Sequence, residues 1–282
     1  MDGIIYEDNH IIVVIKPQGV PSQADDSGDK DLLSMIKEYL KESRQKQGEA
    51  FCGLVHRLDR VTGGVMVFAK TSKAAKRLAE QMQGRTSDGS AEAETPMRKI
   101  YHAVVLGVPP KTQDTLVDYL YKNDRSNVVT VVPSATKGAK RAELRYKILD
   151  AGKQVSRIQV ELVTGRSHQI RVQMANVGCP VFGDAKYGGD KLGKGWNLAL
   201  WAHELQFVHP VPPAGEPEQV LRFVVNPPEG KPWDVFSYDR TARGERKSVP
   251  MYKNTEGVVL NYDFEDAFAE RERRRSNENS GN

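Results

Sequence analysis

The stretch His56-Arg57-Leu58-Asp59-Arg60-Val61-Thr62-Gly63-Gly64 places one carboxylate between two arginines, directly before a pair of glycines. A short apolar lead precedes it, and an apolar run typical of a strand follows it over residues 65–69. The pattern predicts a strand, a turn and a second strand, with Asp59 in the turn. Because a planar guanidinium matches phosphate geometry, Arg57 and Arg60 suit a phosphate-bearing partner. We therefore expect Asp59 to perform chemistry on that partner.

Bulk composition is that of a globular protein with a mildly basic balance. The 282 residues are 39% hydrophobic and 28% charged, which permits one or two domains with a sizeable core. A formal net charge of +4 permits nucleic-acid binding without predicting it. Cys52 and Cys179 stand far apart, in no metal-ligand spacing, which favours a reducing compartment. With no cationic leader and no run of about 18 apolar residues, we expect a cytoplasmic protein without a membrane segment, and a monomer.

Hydrophobic periodicity predicts many strands and few helices. Two strands are predicted within residues 4–15 around a turn at Asp8-Asn9, and others over residues 98–105, 115–120, 128–132, 139–149, 155–163, 198–208 and 220–225. Helices are predicted over residues 31–42, from a Ser72 cap to about Met82, and over 167–177 with Ser167 as its cap. Residues 84–96 read as a surface loop. Runs of antiparallel strands with helices between them indicate an α+β fold with a mixed, mostly antiparallel sheet.

A second polar segment, Thr164-Gly165-Arg166-Ser167-His168-Gln169-Ile170-Arg171, covers the start of the third predicted helix. Free N–H groups and the helix dipole make such an end favourable for anions. A solvated helix end that merely carries polar residues explains the segment equally well. Glycines are frequent in residues 178–189, as in loops that frame a cleft. The sequence has no GxGxxG or Walker A motif, so nucleotide-cofactor folds have little support.

Four segments together resemble the RluA-like family of RNA pseudouridine synthases. Residues 56–64 resemble the family's HRLDxxTSG signature, and residues 164–188 resemble its third motif, TGRxHQIR followed by GxPxxGDxxYG. Lys16-Pro17-Gln18-Gly19 resembles the K-P-x-G motif, and residues 98–103 resemble the strand that carries the active-site tyrosine. The motifs keep the family's order between residues 4 and 225. Gly63 stands where the family usually has Ser, a departure that we expect to affect only fine positioning.

The resemblance implies a pseudouridine synthase catalytic domain with a central cleft over residues 1–230, without an N-terminal S4 domain. Residues 231–282 are expected to form a partly helical extension with a disordered end. Uridines of structured RNA, ribosomal or transfer, would be isomerised to pseudouridine without cofactor or metal. Asp59 would be essential, either adding to C1′ or removing the C2′ proton. Because burial disfavours an ionised carboxylate, a cation must offset it; by resemblance that cation is Arg171.

The resemblance also assigns the other site residues. Tyr101 would stack on the target ring and could handle the C5 proton. Arg57 would enter the gap that the flipped base leaves, where its planar guanidinium can stack and hydrogen-bond. The remaining residues expected to contact RNA are Arg60, Lys16, Arg166, His168 and Gln169. For Lys16 and Arg166, ordinary structural or surface roles are equally consistent with the sequence.

Three other interpretations stay open at this point. A catalytically silent RNA-binding protein of the same fold would lack Asp59 or Tyr101, and both are present. A nucleoside-type glycosidic hydrolase would normally need paired carboxylates and a water site. A metal pair built on His56 and His168 with Asp59 and Asp184 competes with the loop hydrogen bonds that the family resemblance implies for the histidines.

Overall fold

The computed structural model describes residues 3–43, 50–84, 97–189, 195–212, 217–230 and 232–233. Three helices lie in these ranges, α1 (Leu32–Ser43), α2 (Ser72–Met82) and α3 (Gln169–Asn176). The strands are β1 (Ile4–Glu7), β2 (Ile11–Lys16), β3 (Gly53–Leu54), β4 (Gly63–Ala69), β5 (Arg98–Leu106), β6 (Gln113–Asn123), β7 (Val128–Val132), β8 (Lys140–Ala151), β9 (Val155–Leu162), β10 (Leu200–Val208) and β11 (Val220–Val224). The predicted loop at 84–96, apart from Gly84, and nearly all of the predicted extension, 231–282, lie outside the described residues.

All of these strands belong to one sheet. Its order is β1-β2-β4-β10-β5-β9-β8-β6-β7, with β3 paired to β4 and β11 paired to β10. The pairing of β4 with β10 is parallel, and every other pairing between these strands is antiparallel. The prediction of a mixed, mostly antiparallel α+β fold is therefore confirmed.

The core lies around the centre of the sheet. Every residue of β2 and every residue of β4 is buried, as expected of strands that are covered on both faces. Helix α1 buries Leu32, Ile36 and Leu40, which recur every four residues along one face. Helix α2 is capped by Thr71, whose hydroxyl accepts the N–H of Ala74 at 3.2 Å. The prediction of Ser72 as this cap was therefore wrong by one residue.

The glycine pair at the start of β4 permits a close approach to β10. Gly63 lies opposite Trp201, and Gly64 lies opposite Ala202. A Cβ at Gly63 would stand 2.3 Å from the Trp201 ring, and one at Gly64 would stand 2.3 Å from the Ala202 carbonyl oxygen. A serine at position 63, as the family that the chain resembles usually has, would collide with the Trp201 indole on the neighbouring strand. Glycine at this position therefore suits the tryptophan of this chain.

Helix α3 begins two residues later than predicted. His168 precedes it in the left-handed conformation, with φ 51°, and provides no side-chain cap. Ser167 is therefore not the cap that the sequence suggested. Instead, the Gln169 side chain turns back, and its Oε1 accepts the N–H of Arg166 at 2.9 Å. No helix among the described residues is long and apolar enough to cross a bilayer.

Candidate active site

A cleft of about 1100 Å³ opens beside the turn that carries Asp59. Its lining includes the turn itself, Tyr101 of β5, the start of α3 and the segment Trp196–Leu198. The sheet brings the Asp59 turn and Tyr101 together, because Ala202 of β10 pairs with Gly64 on one side and with Tyr101 on the other. The end of the Asp59 turn and Tyr101 are therefore aligned across three neighbouring strands.

Arg171 lies between two carboxylates. Its Nε and Nη2 donate to both oxygens of Asp184, each at 2.7 Å, and its Nη1 donates to Asp59 at 3.3 Å. Burial alone would lower the pKa of Arg171, but the hydrogen bonds to Asp184 and the charges of Asp184 and Asp59 raise it overall. The guanidinium therefore stays charged and faces the candidate catalytic acid, whose side chain is 27% exposed.

Asp184 is the group that fixes Arg171. Its side chain is fully buried, and Oδ1 also accepts the backbone N–H groups of Lys186 and Tyr187 at 3.0 and 3.1 Å. Burial would raise its pKa, but the contacts with Arg171 and these N–H groups lower it overall. From the sequence, we expected Asp184 to matter only as a possible metal ligand. The Gly-Asp pair of the glycine-rich loop was the available signal, because Gly183 has φ 76° and leaves no room for a Cβ against the Asn197 carbonyl.

His168 lies between Asp59 and Tyr187. Its Nε2 lies 4.0 Å from Asp59 Oδ2, and its Nδ1 lies 2.6 Å from the Tyr187 hydroxyl. That hydroxyl also accepts the N–H of Val129 at 3.0 Å, and its second lone pair and its own proton allow it either to accept from or to donate to His168 Nδ1. The negative charge of Asp59 favours the tautomer with the proton on Nε2, in which Nδ1 accepts from the Tyr187 hydroxyl. Burial lowers the pKa of His168, more than the charge of Asp59 raises it, so the ring is neutral.

Tyr101 lies on β5 with its side chain almost entirely buried in the cleft wall. Burial, and then the negative charge of Asp59, raise the pKa of its hydroxyl above the ordinary value. The hydroxyl makes no hydrogen bond within the described residues. A protonated phenol with an unengaged hydroxyl is therefore available to a bound molecule.

The two arginines of the turn differ in the hydrogen bonds and ion pairs that they form. Arg57 is exposed at the cleft, and no hydrogen bond or ion pair engages it in the part of the chain that the structure describes. Arg60 donates to the Gly19 carbonyl at 3.1 Å and forms ion pairs with Asp25 and Asp29. Arg57 is thus the better placed of the two to meet an incoming anion or base.

Two residues predicted to contact RNA have internal roles instead. Lys16 is fully buried, and its Nζ donates to the carbonyls of Pro17, Val20 and Arg60 at 3.0, 2.6 and 3.1 Å. Gln169 is buried as well, and binds the Glu143 carbonyl besides the Arg166 N–H. The Lys16 side chain does not reach solvent, and Gln169 is 3% exposed with its amide engaged inside the protein, so the prediction of direct RNA contacts is corrected for both.

The other predicted residues divide between surface and interior. Arg166 is exposed, and its Nε donates to the Arg141 carbonyl at 2.9 Å. His56 is buried, and its Nε2 accepts the N–H of Val67 at 3.1 Å. Burial lowers the pKa of His56 to about 3, so it is a neutral structural group. Among the described residues no three His, Cys, Asp or Glu side chains cluster as metal ligands would.

Comparisons with known proteins agree on one family. The sequence model of the family described as RNA pseudouridylate synthase matches residues 10–176. An uncharacterized RNA pseudouridine synthase of Bacillus subtilis is 32% identical over 213 residues, which are 74% of this chain and 64% of that protein. The ribosomal large subunit pseudouridine synthase C of Vibrio vulnificus is 31% identical over 215 residues, 74% of this chain and 62% of that protein. The chain thus spans less than two thirds of the length of these relatives.

The fold also matches a solved structure. Human RNA pseudouridylate synthase domain containing 4 superposes with a TM-score of 0.62, over 80% of this chain and 88% of that one, at 23% identity. That likeness concerns the fold alone, and the match of the family's sequence model over more than half of the chain decides membership. The chain belongs to the RNA pseudouridylate synthase family.

Proposed function

We propose that this chain isomerises uridine in RNA to pseudouridine, with Asp59 as the catalytic residue. The observation that carries the proposal is the placement of Asp59 in a cleft, with the charged Arg171 guanidinium at 3.3 Å. Tyr101 lines the same cleft and offers an aromatic face beside the carboxylate. The names of the relatives, among them a ribosomal large subunit synthase, support the substrate class.

The reaction is a rearrangement within one nucleotide. The bond between C1′ and N1 breaks, the uracil turns, and a bond between C1′ and C5 forms; C5 then loses its proton and N1 gains one. No electrons are exchanged, so the balance requires no redox partner. Asp59 would act at the ribose, either by adding to C1′ or by removing the C2′ proton. Arg171 would keep the carboxylate ionised and oriented for either role.

Tyr101 is suited to holding the base. Its raised pKa keeps the hydroxyl protonated near neutral pH, so the free enzyme offers a hydrogen-bond donor and a ring face. Accepting the C5 proton would require the phenolate, which burial and the Asp59 charge both disfavour. We therefore assign Tyr101 to stacking on the uracil. Water or another group in the cleft would then accept the C5 proton.

Base flipping follows from the concave site. A uracil stacked inside an RNA helix cannot reach a carboxylate at the wall of a cleft, so it must leave the stack, at a cost of a few kcal/mol. Arg57 is exposed beside Asp59 and is unengaged within the described residues, which suits it to fill the vacated gap. Structured ribosomal or transfer RNA in the cytoplasm is the proposed substrate, and a monomer would suffice.

Two competing functions are less well supported. A silent RNA-binding protein would have no need for the Asp59, Arg171 and Tyr101 arrangement. A hydrolase would need a second carboxylate to activate water. The carboxylate nearest to Arg171, Asp184, has both oxygens occupied by that arginine and is fully buried, so it cannot serve.

The test is Asp59→Asn, compared with the matched control Asp29→Asn. Asp29 is an exposed acid that pairs with Arg60, so its substitution makes the same change of charge outside the cleft wall. We expect Asp59→Asn to slow tritium release from RNA labelled at uridine C5 by at least about 100-fold, with folding and RNA affinity kept, and Asp29→Asn to have little effect. Nucleoside analysis distinguishes the alternatives, since pseudouridine, unchanged uridine and free uracil are separate products. Near-normal release by Asp59→Asn would overturn the assignment.

A further inference from the structure

Trp196 is an exposed indole on the wall of the cleft. Its side chain is 50% exposed and lines the same cleft as Asp59. The chain has three tryptophans, and the other two, Trp201 and Trp233, are 1% and 5% exposed. The catalytic groups described above make no use of Trp196. An open aromatic face inside a concave site is an unfilled contact surface.

One ring contact and one pair of backbone hydrogen bonds position Trp196. Phe182 meets it edge to face, with ring centroids 6.2 Å apart and an interplanar angle of 62°. The Gln18 side-chain amide donates both to the Leu198 carbonyl at 2.6 Å and to the Val61 carbonyl at 2.9 Å. This amide ties the segment that carries Trp196 to the turn that carries Asp59. The backbone close to the indole is therefore linked to the turn of the catalytic acid, and the indole rests on Phe182.

The surroundings of the indole indicate what it binds. Arg57, Arg166 and Lys186 line the cleft with positive charge, which suits a phosphate backbone. Aromatic faces combined with a cationic groove are the usual means of holding unpaired nucleotides, because every base has a stacking face. Tyr101 lies beside Asp59 and is already assigned to the target uracil, so Trp196 is available to a different base.

We propose that Trp196 is a stacking platform for an unpaired base next to the target uridine. The inference rests on the proposed function, since it requires RNA in the cleft. Such a subsite would favour targets in loops or at helix ends, where the neighbouring nucleotide is free to stack. The platform would contribute to affinity and to the choice of target, and would take no part in the bond rearrangement.

The test compares Trp196→Ala and Trp196→Phe with Phe51→Ala. Phe51 is a matched control, because it is 52% exposed and lies outside the cleft. Binding is measured by anisotropy of labelled octauridylate, and of an abasic strand with the same number of phosphates, in the Asp59→Asn background so that no turnover intervenes. Stacking on a side chain contributes about 1–3 kcal/mol per base, so Trp196→Ala should weaken octauridylate binding about 5- to 150-fold.

The remaining arms identify the cause of any loss. Trp196→Phe should keep most of the affinity, Phe51→Ala should keep all of it, and the abasic strand should bind the parent and Trp196→Ala equally. Octauridylate should quench the tryptophan fluorescence of the parent protein. In Trp196→Phe most of that quenching should disappear, since the other two indoles are buried.

The outcomes separate this inference from the proposed function. If the parent does not bind octauridylate, the stacking platform is refuted, whereas the proposed function is decided separately by tritium release from structured RNA. If the parent binds but Trp196→Ala binds equally well, only the stacking platform is refuted. An equal loss on the abasic strand would also refute it, because the effect would then be independent of bases.

Discussion

Replacing Asp184 with Asn should weaken both the fold and the catalytic site. Asp184 Oδ1 accepts from Arg171 Nη2 and from two backbone N–H groups, and Oδ2 accepts from Arg171 Nε at 2.7 Å. An Asn side chain supplies one acceptor and one donor of nearly the same size. With its oxygen at the Oδ1 position, its amide N–H₂ would face the Nε–H of Arg171, which is also a donor. The substitution therefore removes a charge and creates a repulsive contact in a buried place.

The expected loss is large for a single conservative change. Removing one partner of a buried ion pair typically costs about 3–5 kcal/mol, and here Arg171 would stay buried with only the longer contact to Asp59 at 3.3 Å. In a domain of this size each kcal/mol shifts the melting temperature by about 2–4 °C, so Asp184→Asn should melt roughly 6–20 °C below the parent. Urea titration gives the free energy of unfolding, and the exposed-site variant Asp29→Asn should leave the midpoint nearly unchanged.

The dependence on pH provides a sharper check. The fold lowers the pKa of Asp184 from its usual 3.8, so its contribution is fully present above that value and is lost as the pH falls through the lowered pKa. The difference in stability between the parent and Asp184→Asn should therefore be constant near neutral pH and should narrow below about pH 4. Turnover at a temperature where the variant is folded should also fall, since Arg171 loses the anchor that aims it at Asp59. A loss under about 1 kcal/mol, or a difference that is independent of pH, would refute this account of the pair.

Three further changes test other parts of the site. Arg57→Ala should slow turnover far more than it weakens RNA binding; a salt slope reduced by about 0.7 would instead make Arg57 a phosphate contact. Tyr187→Phe should allow the His168 proton to move to Nδ1, which nitrogen NMR of the imidazole detects, and an unchanged tautomer would contradict the hydrogen-bond assignment. Gly63→Ser should lower the free energy of unfolding by about 1–3 kcal/mol through overpacking, and by less in a Trp201→Leu background. If urea titrations show that the losses of the two substitutions add, the indole is not what a side chain at position 63 collides with.

The fold class was predictable because strand alternation is a local property. The strand predictions agree with the described strands to within a few residues, and a meander of antiparallel pairs follows from short connections. The parallel pairing of β4 with β10 was not predictable, since it joins distant segments and depends on Gly63 fitting against Trp201. Both wrong helix caps have local causes, because Thr71 already supplies the α2 cap and Gln169 completes the turn before α3.

The site was only partly predictable for a related reason. The motifs identify residue types that gather around Asp59, but they do not tell which side chains face solvent. Lys16 ends a strand that is buried on both faces, so its ammonium binds carbonyls instead of phosphates. Asp184 and Trp196 make their contacts across the fold. The Gly183-Asp184 pair marks Asp184 as a candidate, but neither it nor the residues beside Trp196 identify the arginine or the cleft that each one faces.

The position of β10 between β4 and β5 also affects how the chain is made. The N-terminal strands β1, β2 and β4 emerge early during synthesis, whereas β10, which joins them to the rest of the sheet, is translated only after the β5–β9 segment. At about 5–20 residues per second, β4 waits several seconds or more for that partner. During this interval β3 can pair with the Phe68–Ala69 end of β4, but the Gly63–Gly64 end lacks its β10 neighbour, and an open strand edge is the kind of surface that recruits aggregates. Nascent chains paused upstream of β10 are therefore natural clients for chaperones that shield strand edges.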